Sequence, residues 1–457
     1  MTAPSPDLAL EAQIDQWRNY LRHRQAIHAV DVAELEDHLR EQVAGLRSAG
    51  LAADEAFLVA VKRMGDLDAL SREFAREHSE RLWKQLVIVP AADRDDGTRV
   101  RTDALVAFAA AVGAAALAKL PVLFGIDLDT HESFYLRHAP FFVLPLLTAY
   151  FAWKRRLDLA TTRWLAVGFL VALLVVNLQR VVAGGDVEVL MVLHLPIALW
   201  LLVGIAYAGG RWSTSEGRMD FVRFSGELFI YFVLIALGGG VLMAFTAMIF
   251  KSVGVDVEPV FERWILPCGP AGAVLVAAWL VEAKQSVVEN MAPVLTRLFT
   301  PMFAVTLLVF LGTLVVTGRG IRIERDMLIG FDLLLALVLG LVLYAVSARD
   351  PQAPPGLFDR VQVVLLVAAL VTDIIALSAI AARIGEFGFT PNRVAALGEN
   401  VVLLVNLAWS ALLYVRFLRG RGTFAALERW QTTYLPVYAG WAAFVVLVFP
   451  LVFRPSR

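Results

Sequence analysis

The 457-residue chain contains a single cysteine, Cys268. One thiol cannot form an internal disulfide, a CxxC redox pair or a cysteine-based zinc site, so those chemistries are excluded. Its neighbours Pro267, Gly269 and Pro270 point to a packed residue at a distorted helix start. Net charge is also lacking: 41 basic and 42 acidic residues leave a formal charge of −1. A phosphate-binding surface needs a concentrated excess of Lys and Arg, so nucleic acid is not an expected partner. No HExxH, GxSxG or Walker sequence is present, which removes the metalloprotease, serine-hydrolase and self-contained ATP-driven pump readings. No catalytic residue, metal ligand set or cofactor is assigned. A non-enzymatic role is favoured, with a lipid-modifying transferase left open because such enzymes show only scattered polar residues. The opening MTAPSPDLALEAQIDQW is polar and has no apolar core, so no secretory signal is expected and the first hundred residues should stay in the cytoplasm.

What the chain has in abundance is apolar sequence: 58% of its residues are hydrophobic and only 18% charged. The excess is confined to one part. Before Arg101 the sequence is charged and helix-forming. Afterwards, runs near 102–124, 161–183, 224–250, 294–317, 327–347, 360–383 and 397–418 each supply the roughly 20 residues that a helix needs to cross a bilayer. Shorter runs near 138–153, 189–210, 262–281 and 434–453 bring the count to about eleven. Pro140, Pro145 and Arg137 make the 138–153 segment the weakest, and a re-entrant segment with ten spans is the alternative. The expected fold is all-α: a cytoplasmic helical module over 1–88, a hydrated linker over 89–101, and a polytopic helix bundle over 102–457.

The module should hold four short amphipathic helices. Leu10, Ile14, Trp17 and Leu21 share one face; Val32, Leu35, Leu39, Val43 and Leu46 form the stripe of a second helix, which opens at Asp31 and ends at Gly50. Phe57, Val61 and Met64 follow on a third that stops at Gly65, and Leu67, Leu70, Phe74 and Leu82 on a fourth. A core this small makes partner contacts valuable. Glu34, Asp37, His38 and Glu41 crowd one side of the second helix, a charged solvated face rather than a metal site, since no second histidine has ligand spacing. The stretches DVAELEDHLREQVAGLRSAGL and DEAFLVAVKRMGDLDALSREFAREH resemble permease prefix domain 1, a small helical module that precedes the membrane portion of bacterial permease-like proteins. That resemblance covers about the first 85 residues. It implies a bacterial origin, a cytoplasmic accessory role and a protein partner for residues 1–88, and it carries over no catalytic residue.

With the N-terminus inside, Lys154 to Arg156 and Arg163, then Arg211, Arg218 and Arg223, then Arg416, Arg419, Arg421 and Arg429 all fall in the cytoplasm, as the positive-inside rule asks. Arg319, Arg322 and Arg325 run against it. The expected location is the bacterial inner membrane, with the lipid bilayer as a partner and homo-oligomerisation left open. The segment GEFGFTPNRVAALGENVVLLVNLAWSALLYVRFLRG resembles the Gly-x-Thr-x-x-Arg loop and following helix of an uncharacterised family of bacterial multi-pass membrane proteins, through Gly388, Thr390 and Arg393. Thr390 and Pro391 also make an N-cap and N1 pair in their own right. Small residues at Ala107, Ala111 and Ala115, and at Gly238 to Gly240, are expected to let helices approach closely.

Polar residues within apolar runs are the functional candidates. Asp373 lies near the centre of VAALVTDIIALSAI, where an unpaired carboxylate costs several kcal/mol. It is read either as a proton- or cation-coupling site or as an interhelical tie to Asn406 or His194. His194 precedes Pro196 by two residues, and the helix kink expected there makes room for a polar pocket. Asn177 and Asn406 are read as interhelical hydrogen-bond partners. Asp332 and Lys119 are placed nearer span ends, where snorkelling or a neighbouring loop charge is expected to satisfy them. Two functions follow: a permease-like bundle that moves a small solute or ion past Asp373 and His194, or a membrane-embedded sensor, scaffold or regulatory subunit.

Overall fold

A computed structural model describes residues 10–11, 13–15, 29–48, 51–63, 94–252, 254–283, 291–317 and 325–453. All regular structure among them is helical, and the chain divides into two compact units, Met1–Thr98 and Arg99–Arg457.

In the first unit α1 (Ala29–Ser48) and α2 (Ala53–Arg63) pack with Leu10 and Ile14. Leu39, Val43, Ala56 and Ala60 form the small core, which agrees with the helical spacing of the apolar positions. Arg40 clamps Glu11 through two nitrogens at 2.8 and 2.9 Å and also reaches Glu36 one turn back at 3.0 Å. The fourth helix expected around Leu67 to Leu82 lies outside the described residues.

The second unit is a bundle of long helices: α3 (Arg94–Lys119), α4 (Glu132–Lys154), α5 (Leu159–Leu178), α6 (Asp186–Ala208), α7 (Ser215–Ser252), α8 (Glu258–Ala283), α9 (Met291–Thr317), α10 (Arg325–Ser347), α11 (Leu357–Phe387), α12 (Pro391–Leu418) and α13 (Phe424–Val452). Helix α3 already begins at Arg94, so residues 94–101, expected as linker, are helical. Helix α5 stops at Leu178, and residues expected to continue its span form the turn that leads into α6. Ten helices among the described residues are long and apolar enough to cross a membrane, which makes this a polytopic membrane protein. The helix that falls short is α4. It is also deeply enclosed: His138, Thr148, Tyr150 and Phe151 are buried, and a helix packed inside protein need not be soluble in lipid.

Two hydrophobic cores organise the bundle. One joins residues of α3 to α8, around Leu147, Phe151, Phe224 and Leu275; the other joins α9 to α13 with the start of α7, around Leu335, Leu366, Leu407 and Phe424. Helix α13 lies along α6 and so ties the two halves together.

Polar residues close the helix ends. At one end of the bundle Lys154 meets Asp103 at 3.3 Å and Glu282 at 3.2 Å, Arg155 meets Glu282 at 2.9 Å and the Tyr207 carbonyl at 3.2 Å, and Arg223 reaches the Ser347 carbonyl at 2.6 Å. Arg349 joins the same end, bound to Asp359 at 2.9 Å and seated over the rings of Phe417 and Phe424. At the other end Glu188 collects Arg137 at 3.2 Å, the Ser133 hydroxyl and the Gly184 amide at 2.7 Å, while Gln179 donates to the Val446 carbonyl at 3.1 Å. The α11–α12 connection belongs here as well. Gly388 takes φ +76°, Thr390 caps the Arg393 amide, Pro391 occupies the first turn, and the Arg393 guanidinium donates to the Phe387 and Gly388 carbonyls at 3.0 and 2.8 Å. Each residue of the Gly-x-Thr-x-x-Arg pattern thus builds the turn.

The two small-residue stripes behave differently. Ala107 and Ala111 are buried, Ala111 faces Gly272 of α8, and the Cys268 thiol reaches the Ala115 carbonyl at 3.6 Å beside the π-turn Phe261–Ile265 that opens α8. Around Gly238, Gly239 and Gly240, by contrast, a Cβ would meet no atom within 4 Å, so the close packing expected of them is not made among the described residues.

Candidate functional site

Helix α12 brings the site together. It starts at the capped turn Thr390–Pro391, so Glu399 sits in its third turn, about 12 Å along the axis at 1.5 Å per residue. His194 is likewise the ninth residue of its own helix, α6, and that helix starts at the same end of the bundle. The two residues line one cavity of about 280 Å³ at the seam between the two cores. Trp200, Phe221, Tyr438 and Trp441 supply its aromatic wall, and Ile197, Leu339, Leu343, Val402 and Leu435 are among its aliphatic residues.

Two features of this cavity stand out chemically. The Glu399 carboxylate is half-buried and forms no hydrogen bond or ion pair among the described residues. The Tyr438 hydroxyl and the Trp441 indole N–H are buried donors that also lack partners. Native interiors rarely leave such groups unmatched, because each unmade bond costs about 1–3 kcal/mol. Trp441 is held in place from behind: a Cβ on Gly398 would lie 1.9 Å from its ring, so only glycine lets the indole press against the α12 backbone.

His194 bonds the Leu190 carbonyl through Nδ1 at 2.8 Å. A carbonyl only accepts, so Nδ1 carries hydrogen, and Nε2 is an acceptor whenever the ring is neutral. Pro196 lies inside α6 without ending it.

Behind Glu399 lie two further carboxylates. Asp332 of α10 accepts from the Asn400 amide at 2.7 Å, and Asn400 also donates to the Ala396 carbonyl at 2.8 Å, which leaves its own Oδ1 unmatched. Asp332 is therefore met by a neighbouring helix, not by a snorkelling path to a span end. It is close enough to both Glu399 and Asp373 for the charges to act on one another. Asp373, at the middle of α11, is fully buried, and neither carboxylate oxygen has a partner among the described residues. The tie from Asp373 to His194 or Asn406 is not made.

Asn406 belongs to a separate, closed network. Its amide donates to Gln431 Oε1 at 3.2 Å, Gln431 donates to the Ser410 hydroxyl at 2.7 Å, and Ser410 returns to the Asn406 carbonyl at 2.7 Å. Asn177 is exposed near the end of α5, where it donates to the Leu173 carbonyl at 2.8 Å and to His138 Nε2 at 3.1 Å, an interhelical bond of the kind its sequence context suggests. Of the four sequence candidates, His194 lines the cavity, Asp373 stands behind it through Asp332, and Asn406 and Asn177 do not line it but form hydrogen bonds between helices. Glu399 and Asn400 were missed. The signal for Glu399 was its spacing of seven from Asn406, two turns along the same face.

No three carboxylate, histidine or cysteine side chains among the described residues are arranged to hold a metal ion. No family model matches the chain, and neither any curated protein nor any solved structure matches it.

Proposed function

We propose that this chain is a permease-like membrane protein that moves a small solute through the seam between its two helical cores. One observation carries the reading: a partly open cavity at the seam of the bundle exposes a carboxylate, Glu399, that no described residue neutralises. Ionised and unpaired at that depth, the group is costly, so it must carry a proton or meet a cation from outside the chain. A scaffold gains nothing from such a group. A transporter uses it as the point where solute and proton compete, and Asp332 and Asp373 extend the acidic path toward the bundle centre.

The ion pairs at helix ends favour eleven crossings. Lys154, the last residue of α4, reaches Asp103, two residues inside the apolar span of α3 that opens at Arg101, so α4 returns across nearly the whole length of that span. The end built from Lys154, Arg155, Arg223 and Arg349 is the basic one and is assigned to the cytoplasm, in the inner membrane of a bacterium. Residues 1–88, read as a permease-prefix-like module, then serve to dock a protein partner or regulate access.

The test is reconstitution. Purified protein in liposomes that enclose a pH-sensitive dye is given benzyltrimethylammonium, benzenesulfonate or benzyl alcohol, with solute uptake measured in parallel. Transport requires that at least one probe drive proton movement that Glu399→Gln abolishes in a folded protein. If none moves protons or enters, the bundle is a sensor or scaffold.

A further inference from the structure

The lining of the seam cavity defines a chemical class of solute. We infer that it binds a monovalent organic cation with an apolar body, an amine or quaternary ammonium, against the Glu399 carboxylate and the faces of its aromatic wall. This deepens the transport reading and rests on it for the claim that the ligand is moved.

Exclusion of other classes comes first. An anion would meet Glu399 and no Lys or Arg among the described residues, of which His194 is the only basic one that lines the cavity. A sugar or other polyol needs many convergent donors and acceptors, and among the described residues the lining offers Glu399, His194, Tyr438 and the Trp200 and Trp441 N–H groups alone, with Trp200 already bonded to Ser225 at 3.0 Å. Bare alkali or divalent ions need a shell of oxygens, which one carboxylate and one phenol do not provide. A neutral apolar molecule would fit the walls but would leave Glu399 unmatched.

An organic cation answers each of these features. Its charge pairs with the half-buried Glu399 carboxylate between apolar walls, where that attraction is stronger than in bulk water. Its substituents rest on Trp441, Trp200 and Tyr438, whose ring faces attract cations beyond simple contact. A volume near 280 Å³ suits a molecule the size of a single ring with a small ammonium group. The exchange balances simply: the protonated carboxyl releases one proton to water as the cation enters, and regains one when the cation leaves. Groups that bear on this titration are His194 from α6, Asp332 from α10, Tyr438 from α13 and, through Asp332, Asp373 from α11.

Isothermal titration of the full chain in nanodiscs with benzyltrimethylammonium is the direct test, in two buffers of different ionisation enthalpy so that proton release is counted. The expected result is saturable binding with release of one proton, weakened about 100-fold by Glu399→Gln and about tenfold by Trp441→Leu. The exposed Glu216→Gln should leave it unchanged. Should Glu399→Gln fail to fold, Trp441→Leu and the loss of binding by the unaltered chain as pH falls carry the same test. Equal binding of benzenesulfonate or benzyl alcohol, or cation binding indifferent to both Glu399→Gln and Trp441→Leu, overturns the assignment. Those results leave transport standing if the other probe moves protons in liposomes. Cation binding with no flux from any probe keeps the site and discards transport.

Discussion

Helix α12 carries two buried polar groups of opposite character only two turns apart. Around Asn406 the network is closed: its side-chain amide donates to Gln431, its side-chain oxygen accepts from the Ser410 hydroxyl, its main-chain carbonyl accepts from the Trp430 indole, and Asn406, Ser410 and Gln431 are sealed from solvent. Around Asn400 it is open: one Asn400 atom, both Asp373 oxygens and the Glu399 carboxylate lack partners among the described residues. The helix pays twice for polarity, and only one of the two groups returns the cost in stability. A satisfied cluster ties helices together, whereas an unsatisfied one is retained for something the folded chain alone does not supply.

The sharpest way to break this comparison is at the open cluster. Asp373→Asn is expected to abolish solute-driven proton movement, by at least about 100-fold, because an amide cannot release a proton. Its thermal midpoint should stay level or rise, since the substitution removes a costly unpaired acid. A fall in stability that matches the fall in flux would make Asp373 a structural residue.

At the closed cluster the order of effects reverses. Gln431→Leu leaves the Asn406 amide without an acceptor and should cost about 2 kcal/mol in reversible unfolding, with flux per folded molecule unchanged. Adding Asn406→Leu should recover part of that loss, because both halves of the orphaned pair are then gone. Strict additivity of the two losses would mean that the network is not coupled.

Gly398 lies between the two clusters in its effect. A methyl group there meets the Trp441 ring, so Gly398→Ala must swing the indole out of the cavity wall at a cost of about 1–3 kcal/mol. Benzyltrimethylammonium affinity should drop about tenfold together with the quenching of tryptophan fluorescence by that probe. Unchanged affinity would show that Trp441 does not touch the ligand.

How much of this was legible in the sequence depends on whether the cause was local. The apolar runs, the Thr390–Pro391 helix start and the packing of Ala107 and Ala111 follow from periodicity, capping and side-chain size, all of which a sequence states directly. Asp373 was legible too, since a carboxylate in the middle of an apolar span announces its cost. Two things were not. Helix α4 reads as marginal because hydropathy assumes lipid on all sides, and its enclosure by neighbours is a tertiary fact. Glu399 reads as a residue near a helix end because the apolar run begins at 397, yet the helix starts at Pro391 and carries it into the bundle. Partners drawn from distant segments, such as Asn400 with Asp332 or Asn406 with Gln431, leave no mark on local pattern.

A carboxylate that is satisfied outside the membrane span supplies the reference for both clusters, and its effect is the smallest. Asp158 caps α5: the backbone N–H of Thr161, and then its hydroxyl, hold the carboxyl below the usual carboxylate range. A group whose folded value is depressed contributes stability that is present above its unfolded value and lost as pH falls through its folded value. Acidification should therefore loosen the first turn of α5 while leaving the cavity ligand to respond to its own protons. Hydrogen exchange at the Thr161 amide, corrected for the intrinsic rate, is the measurement. Asp158→Asn should keep the cap and lose the pH dependence, and Asp158→Ala should exchange fast at every pH. If Asp158→Asn loosens with acid as the unaltered chain does, the titrating group lies elsewhere. If it does not, carboxylates held by the chain and carboxylates left to an outside ligand can be told apart by which event their protons report, helix opening in the one case and binding in the other.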